Sequence, residues 1–253
     1  MAESSLVRLL IANSNTSAEV TAVIEKAARA VAAPGTVILA RNARFGAQVV
    51  GTRSEAAIAG HALLDMLAAE TEPFDAVLLA MSMDSGLWAA RELLAVPVVG
   101  MTEAGLLLAS TMGTRIGMVV LGRRLLAVYR ELASSYGFSD RLAGIEPVDA
   151  SPQDLLEDPE AFYAPIVAGC LRLVERDAAE VVLLVGAVMG GLPKLLAERV
   201  PVPLVDGISA GVLLAEALVR LGAAEPRAGS LARPIGRASR GLAEPLARRL
   251  EGG

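Results

Sequence analysis

The run Asn13-Ser14-Asn15-Thr16-Ser17 gathers amide and hydroxyl groups at the end of an apolar stretch, just before a helical pattern that begins near Ala18. One such residue is enough to cap that helix, and Glu19 in the first turn supports the cap. The others exceed what a cap needs. Amide and hydroxyl donors beside free backbone N–H groups suit a carboxylate or amide ligand. Asn13, Asn15 and Thr16 are therefore candidate substrate contacts, with capping alone as the competing reading.

Ser82 and Asp84 form a second polar pair after an apolar run. Ser82 reads as a donor to a substrate oxygen or as loop packing, and Asp84 as an acid–base group or as the cap of a helix starting at Leu87. Glu103 and Asp206 stand near two further helix starts, where a carboxylate favours the helix dipole or meets a ligand. Arg123 and Arg124 suit bidentate pairing with an anionic substrate, against the plainer reading of solvated arginines. Ala187 joins the substrate-binding set from the loop 186–191. That loop lacks the Gly-x-Gly-x-x-Gly spacing, and Gly191-Leu-Pro-Lys194 is not a phosphate loop. His61, the single histidine, lies in a helical pattern over 53–67 and reads as a surface or interface residue rather than a general base. Cys170, the single cysteine, sits in an apolar helical stretch and reads as buried and structural.

The elements that must position these groups come from an internal repeat. Residues 75–87 align without a gap on 180–192, and 97–109 on 203–215 after a one-residue slip. A spacing near 105 residues is too long for a solenoid and right for two similar α/β halves. Apolar runs predict strands at 6–12, 36–42, 75–81 and 96–101 in one half, and at 115–121, 144–149, 180–186 and 202–206 in the other. Strands alternating with helices imply βαβ units and parallel sheets. The predicted fold is α/β: two pseudo-symmetric four-stranded parallel, Rossmann-like domains with a cleft between them. The expected division is 1–100 plus 208–253 for the first domain and 101–207 for the second. Ligands bind at the carboxyl ends of parallel strands, so the cleft is expected between the loops at 13–17, 81–86, 121–124 and 186–191. A last helix is expected over 239–250.

Composition narrows the function classes. Hydrophobic residues make up 54% of the 253 and mean hydropathy is +0.52, yet no apolar run reaches the length of a membrane helix. Near-continuous apolar strands are what a parallel sheet covered on both faces requires. A net charge of −5 and 3% aromatics argue against a nucleic-acid surface. One cysteine leaves no disulfide and no cysteine-based metal site within the chain. No secretory leader is read at the N-terminus, so a cytoplasmic protein is expected, with a small-molecule substrate, no nucleic-acid or membrane partner, and a homo-oligomeric state.

Several of these motifs, in this order, resemble one family. Asn13-Ser-Asn15-Thr16-Ser17 is similar to the Asn-Pro-Asn-Thr-Ser loop of the aspartate/glutamate/hydantoin racemase superfamily. Asp84-Ser-Gly86-Leu87 is similar to its Asp-Pro-Gly-Leu, Pro97-Val-Val-Gly100…Glu103-Ala104 to its Pro-Val-Val-Gly…Glu-Ala, and Pro203-Leu-Val-Asp206…Ala215-Glu216-Ala-Leu218 to its Pro-Val-Ile-Asp…Ala-Glu-Ser-Leu. The resemblance implies two α/β domains, a site between them, no cofactor, and chemistry at a carbon next to a carbonyl of a small carboxylate or cyclic amide. Racemases of this family use a cysteine after the third strand of each half, one to remove a proton and one to return it. Counting back from Gly86-Leu87 and from Gly191-Leu192 puts these cysteine positions at Met81 and Gly186. A thioether has no acidic proton and glycine has no side chain, so the two-thiol mechanism is not available. Asp84 and Ser82 are then the candidate catalytic groups. A lyase or decarboxylase on the same scaffold, or a non-catalytic binding homologue, are the alternatives.

Overall fold

Runs of β-branched and leucine residues with no polar alternation build two buried sheets, and all eight strands fall within the predicted segments or a residue or two beyond them. The computed structural model describes residues 6–223 and 226–252. In chain order the first half contains β1 (Arg8–Asn13), α1 (Ala18–Val31), β2 (Val37–Asn42), α2 (Arg53–Ala69), β3 (Ala76–Leu79), α3 (Leu87–Leu93), β4 (Val98–Gly100) and α4 (Met101–Ala109). The second contains β5 (Ile116–Leu121), α5 (Leu126–Ser135), β6 (Leu142–Val148), α6 (Pro152–Glu157), α7 (Tyr163–Asp177), β7 (Val181–Val185), α8 (Leu192–Leu196), β8 (Leu204–Asp206) and α9 (Gly207–Leu221). A terminal helix, α10 (Glu244–Leu250), packs on α2. It starts later than the expected 239 because Pro245 belongs in a first turn.

Both sheets are fully parallel, in the orders β2-β1-β3-β4 and β6-β5-β7-β8. The strand order reverses between β1 and β3 in one sheet and between β5 and β7 in the other. Loops leaving these strands diverge there and open a crevice. The loops after β1 and β3, and those after β5 and β7, are the ones that carry the candidate residues.

The helix that follows the fourth strand of each half, α4 or α9, packs across onto the other half. A Cβ on Gly105 of α4 would fall 2.6 Å from Leu183 Cδ1 on β7. Gly211 of α9, its repeat counterpart, meets Leu78 Cδ1 on β3 more closely still, and Leu78 is the counterpart of Leu183. Between them, a Cβ on Gly207 would lie 2.5 Å from the Met101 carbonyl oxygen. Gly207 lets α4 and α9 meet at backbone contact, while Gly105 and Gly211 let each helix lie close on the third strand of the other half. Together these contacts bring the carboxyl ends of the two sheets face to face. Glu216 on α9 is buried and accepts from Ala33 N (2.9 Å) and Thr36 Oγ1 (2.6 Å), fastening α9 to the α1–β2 turn. Gly211→Ala is expected to cost a net 1–2 kcal/mol or so, because overpacking Leu78 outweighs alanine's helical preference. Denaturant midpoints will check this, and the loss should shrink in a Leu78→Val background.

Candidate active site

A cavity of about 120 Å³ opens where the two switch points meet. Met81 and Gly186 both line it, one from each half. Asn15, Ser82 and Ala187 line it as well, together with Val20, Leu121, Leu125, Tyr129 and Val185. Val49, Val50, Gly51 and Pro152 line it too. The segment before α2 that supplies the first three is tied to the first loop by Thr16 N donating to Ala47 O at 3.1 Å.

Asn13 is fully buried and does not reach the cavity. Its Nδ2 donates to Asn15 Oδ1 (2.9 Å) and Thr21 Oγ1 (3.0 Å), and its Oδ1 accepts from Asn15 N at 3.3 Å. Ser17 N also donates to Asn15 Oδ1, at 2.9 Å. The Asn15 oxygen is thus held by two donors, which turns its amide Nδ2 into the free donor of this wall. Ser17, not Thr16, caps α1. Of the polar loop, Asn15 lines the cavity, Asn13 and Ser17 hold its amide oxygen, and Thr16 lies outside the lining.

On the facing loop, Ser82 Oγ and Tyr129 Oη lie 2.8 Å apart, and Thr102 Oγ1 donates to the Ser82 carbonyl at 2.7 Å. Burial pushes the Tyr129 hydroxyl up to about 12, so it remains a proton donor at neutral pH. The sequence marks Tyr129 only by its place on an amphipathic helix, seven residues before Tyr136. A short 3-10 turn over Ala187–Met189 follows Gly186, and Gly186, Ala187 and Val188 line the same space, where the first N–H groups of such a turn have no partner within the turn. Among the residues lining the cavity, Tyr129 alone has a titratable side chain.

Asp84 is placed differently from expectation. It is buried, it does not line the cavity, and it caps α4 rather than the helix at Leu87. Its carboxylate accepts from Thr102 N (3.2 Å), Glu103 N (2.9 Å) and Tyr136 Oη (2.9 Å). Burial nevertheless pushes its pKa up to about 7, with those hydrogen bonds opposing the shift and the Glu103 charge adding to it. A Cβ on Gly100 would sit 2.7 Å from the Asp84 carboxyl carbon, so glycine there makes the room. The other half solves the same problem from another position. Asp206, the repeat counterpart of Gly100, caps α9 through Ser209 N (2.7 Å) and receives Gly191 N at 3.2 Å.

The remaining candidates lie away from the cavity. Glu103 is held bidentately by Arg91, whose guanidinium also covers Trp88 at 4.9 Å from the ring centroid. Arg123 and Arg124 are solvent-exposed. His61 is exposed on α2 and meets the Phe45 ring edge-on at 5.2 Å. Cys170 is fully buried in α7, and burial pushes its thiol up to about 12. Among the described residues no group of three or more His, Cys, Asp or Glu is placed to hold a metal ion, and no helix is long and apolar enough to cross a membrane.

Comparison with known proteins places this geometry in context. The family model described as Asp/Glu/Hydantoin racemase matches residues 9–215. A hydantoin racemase from Pseudomonas sp. (strain NS671) is 33% identical over 217 residues, 85% of this chain and 87% of that protein. The solved allantoin racemase from Klebsiella pneumoniae superposes with a TM-score of 0.91 at 35% identity, covering 95% of this chain and 98% of that one. The allantoin racemase from Pseudomonas fluorescens gives 0.89 at 36%, covering 93% and 100%.

Proposed function

We propose, for a chain that belongs to the Asp/Glu/hydantoin racemase family, that it takes a hydantoin-like cyclic amide or a small carboxylate into the cavity between its halves, and acts on it as a cofactor-independent enzyme without a thiol pair. The halves on this reading are 1–100 with 208–253, and 101–207. The observation that carries it is the convergence of Asn15, Ser82, Tyr129 and the turn residues Ala187 and Val188 on the cavity that Met81 and Gly186 share. These groups are neutral hydrogen-bond donors. They suit a carbonyl oxygen, and suit it better as negative charge builds on that oxygen in an enolate.

A second reading, a lyase or decarboxylase, is favoured by one specific feature. The cavity wall offers a proton donor in Tyr129 and no base. Loss of carbon dioxide from a malonate-type acid needs no base. It leaves a carbanion, which the N–H groups would stabilise as an enolate and Tyr129 would protonate on one face. Solvent-deuterium incorporation over a panel of hydantoins, allantoin, amino acids and malonates distinguishes the two. Ligand stabilisation without turnover of any of them would defeat both.

Binding itself is checked at Asn15. Asn15→Ala removes the free amide donor and should weaken a bound hydantoin by about 1–2 kcal/mol, measured by calorimetry. Asn13→Ala should weaken it through the loss of Asn15's orientation. Unchanged affinity in both would reduce the loop 13–17 to a helix cap.

A further inference from the structure

Two tyrosines on one helix grip the candidate site from across the interdomain boundary. Tyr129 and Tyr136 are seven residues apart, two turns on the same face of α5, with Tyr136 as its C-cap. The helix α5 follows β5 and belongs to the second sheet, whereas Ser82 and Asp84 sit on the loop after β3 of the first. Tyr129 meets Ser82 at 2.8 Å and Tyr136 donates to Asp84 at 2.9 Å. The inner pair lines the cavity and the outer pair does not.

The outer contact rests on a rigid base. Asp84 has a left-handed φ of 47°, a strained value for a residue with a side chain. It is retained because two backbone donors of α4 hold the carboxylate and Asp84 N donates to Met81 O at 2.8 Å. The Tyr136 ring lies beside Trp88, with centroids 6.4 Å apart. The inner contact is lighter: Thr102 holds the Ser82 carbonyl, but the two side chains hold each other by a single hydroxyl bond at the cavity wall.

We infer that Tyr136 is a positioning residue for this site: its bond to Asp84 docks α5 on the loop 81–86 and so presents the Tyr129 hydroxyl at the cavity wall. A ligand carbonyl oxygen entering between Ser82 and Tyr129 takes the Tyr129 proton as a hydrogen bond, while the outer pair keeps the two halves in register. This rests on the reading of the cavity as the ligand site.

The test pairs a ligand-free measurement with a binding one. Tyr136→Phe keeps the ring against Trp88 and removes only the hydroxyl. Amide hydrogen exchange is expected to quicken several-fold in both 81–86 and 126–135, with Tyr129→Phe having a smaller effect there. With 5-methylhydantoin as the probe, Tyr136→Phe should weaken binding about tenfold in the wild-type background and leave it unchanged in a Tyr129→Phe background, the non-additivity of a residue acting through another. Equal losses in both backgrounds would show a general structural effect and overturn the assignment. Unaltered exchange in both segments would overturn it as well. If the wild type does not bind the hydantoin, the functional reading of the cavity falls, and hydrogen exchange alone decides the role of Tyr136. Should Tyr136→Phe fail to fold, Asp84→Asn weakens the same bond from the other side and is put through the same measurements.

Discussion

An enantiopure hydantoin or free amino acid incubated with this protein is expected to keep its optical rotation, with no racemisation by a thiol pair above the uncatalysed rate. The two positions from which the family's thiols would act carry Met81 and Gly186, and both line the cavity. Neither has a proton to exchange, whereas positioned acid–base groups of this kind contribute about 10²–10⁴-fold each. The one thiol in the chain, Cys170, is buried in α7 and pushed up to about 12, so alkylating reagents should leave any turnover unchanged. The double change Met81→Cys with Gly186→Cys is expected to restore exchange of the substrate's α-proton with solvent. A Cβ at 186 would meet Met189 Cε at 3.1 Å and Leu121 Cδ1 at 3.6 Å. The φ of 158° there strains any side chain, so the exchange restored is expected to be partial. Polarimetry and deuterium exchange check each part. Rapid racemisation abolished by alkylation would mean that Cys170 reaches the site. Rapid racemisation indifferent to alkylation would show that a base not on the cavity wall does.

The facing of Met81 and Gly186 was legible in the sequence because it depends on backbone topology: a repeated βαβ order, apolar strands and a switch point locate a loop before any side chain is considered. Side-chain roles were less legible because tertiary contacts set them. Asn13 looked like a ligand contact by type, but β1 buries it and Thr21 and Asn15 consume its amide. Glu103 reads as a helix-dipole carboxylate or a ligand contact, but α3 brings Arg91 to it. Arg123 lies in the anticipated loop yet points to solvent, since nothing in the apolar wall formed by Leu121, Leu125 and Val185 pairs with a charge. Tyr129 and Tyr136 carried a readable seven-residue spacing, but no local rule says which loop a helix face will meet. One signal did lie in the repeat itself. Aligning the copies pairs Gly100 with Asp206 and Asp84 with Met189, so each copy keeps one carboxylate at a different position. The structure shows why: each caps the helix that crosses to the other half.

The stability of the protein relative to its Asp84→Asn variant is expected to fall as pH rises from about 4 to 8. Burial raises the Asp84 carboxyl to about 7 in the folded protein, against roughly 3.9 for an exposed aspartate. Between those values the native state holds a proton that the unfolded chain has released. The stabilising contribution is therefore complete below about pH 4 and is lost as pH climbs through 7. At about 1.4 kcal/mol per pKa unit, the full difference approaches 4 kcal/mol as an upper bound. Other carboxylates run the opposite way: Glu146, lowered by hydrogen bonds from Arg172 and Arg176 against its burial, loses its contribution only in acid. Subtracting the curve of the Asp84→Asn variant removes those shared terms and isolates Asp84. Asparagine keeps one acceptor oxygen for the α4 N-terminus and for Tyr136, so the variant should fold, with a smaller and pH-independent cost. Denaturant midpoints at half-unit intervals give the curve. A difference that stays flat from pH 4 to 8 would show the carboxylate ionised throughout, with the α4 backbone donors and the Tyr136 hydroxyl outweighing the burial of its charge.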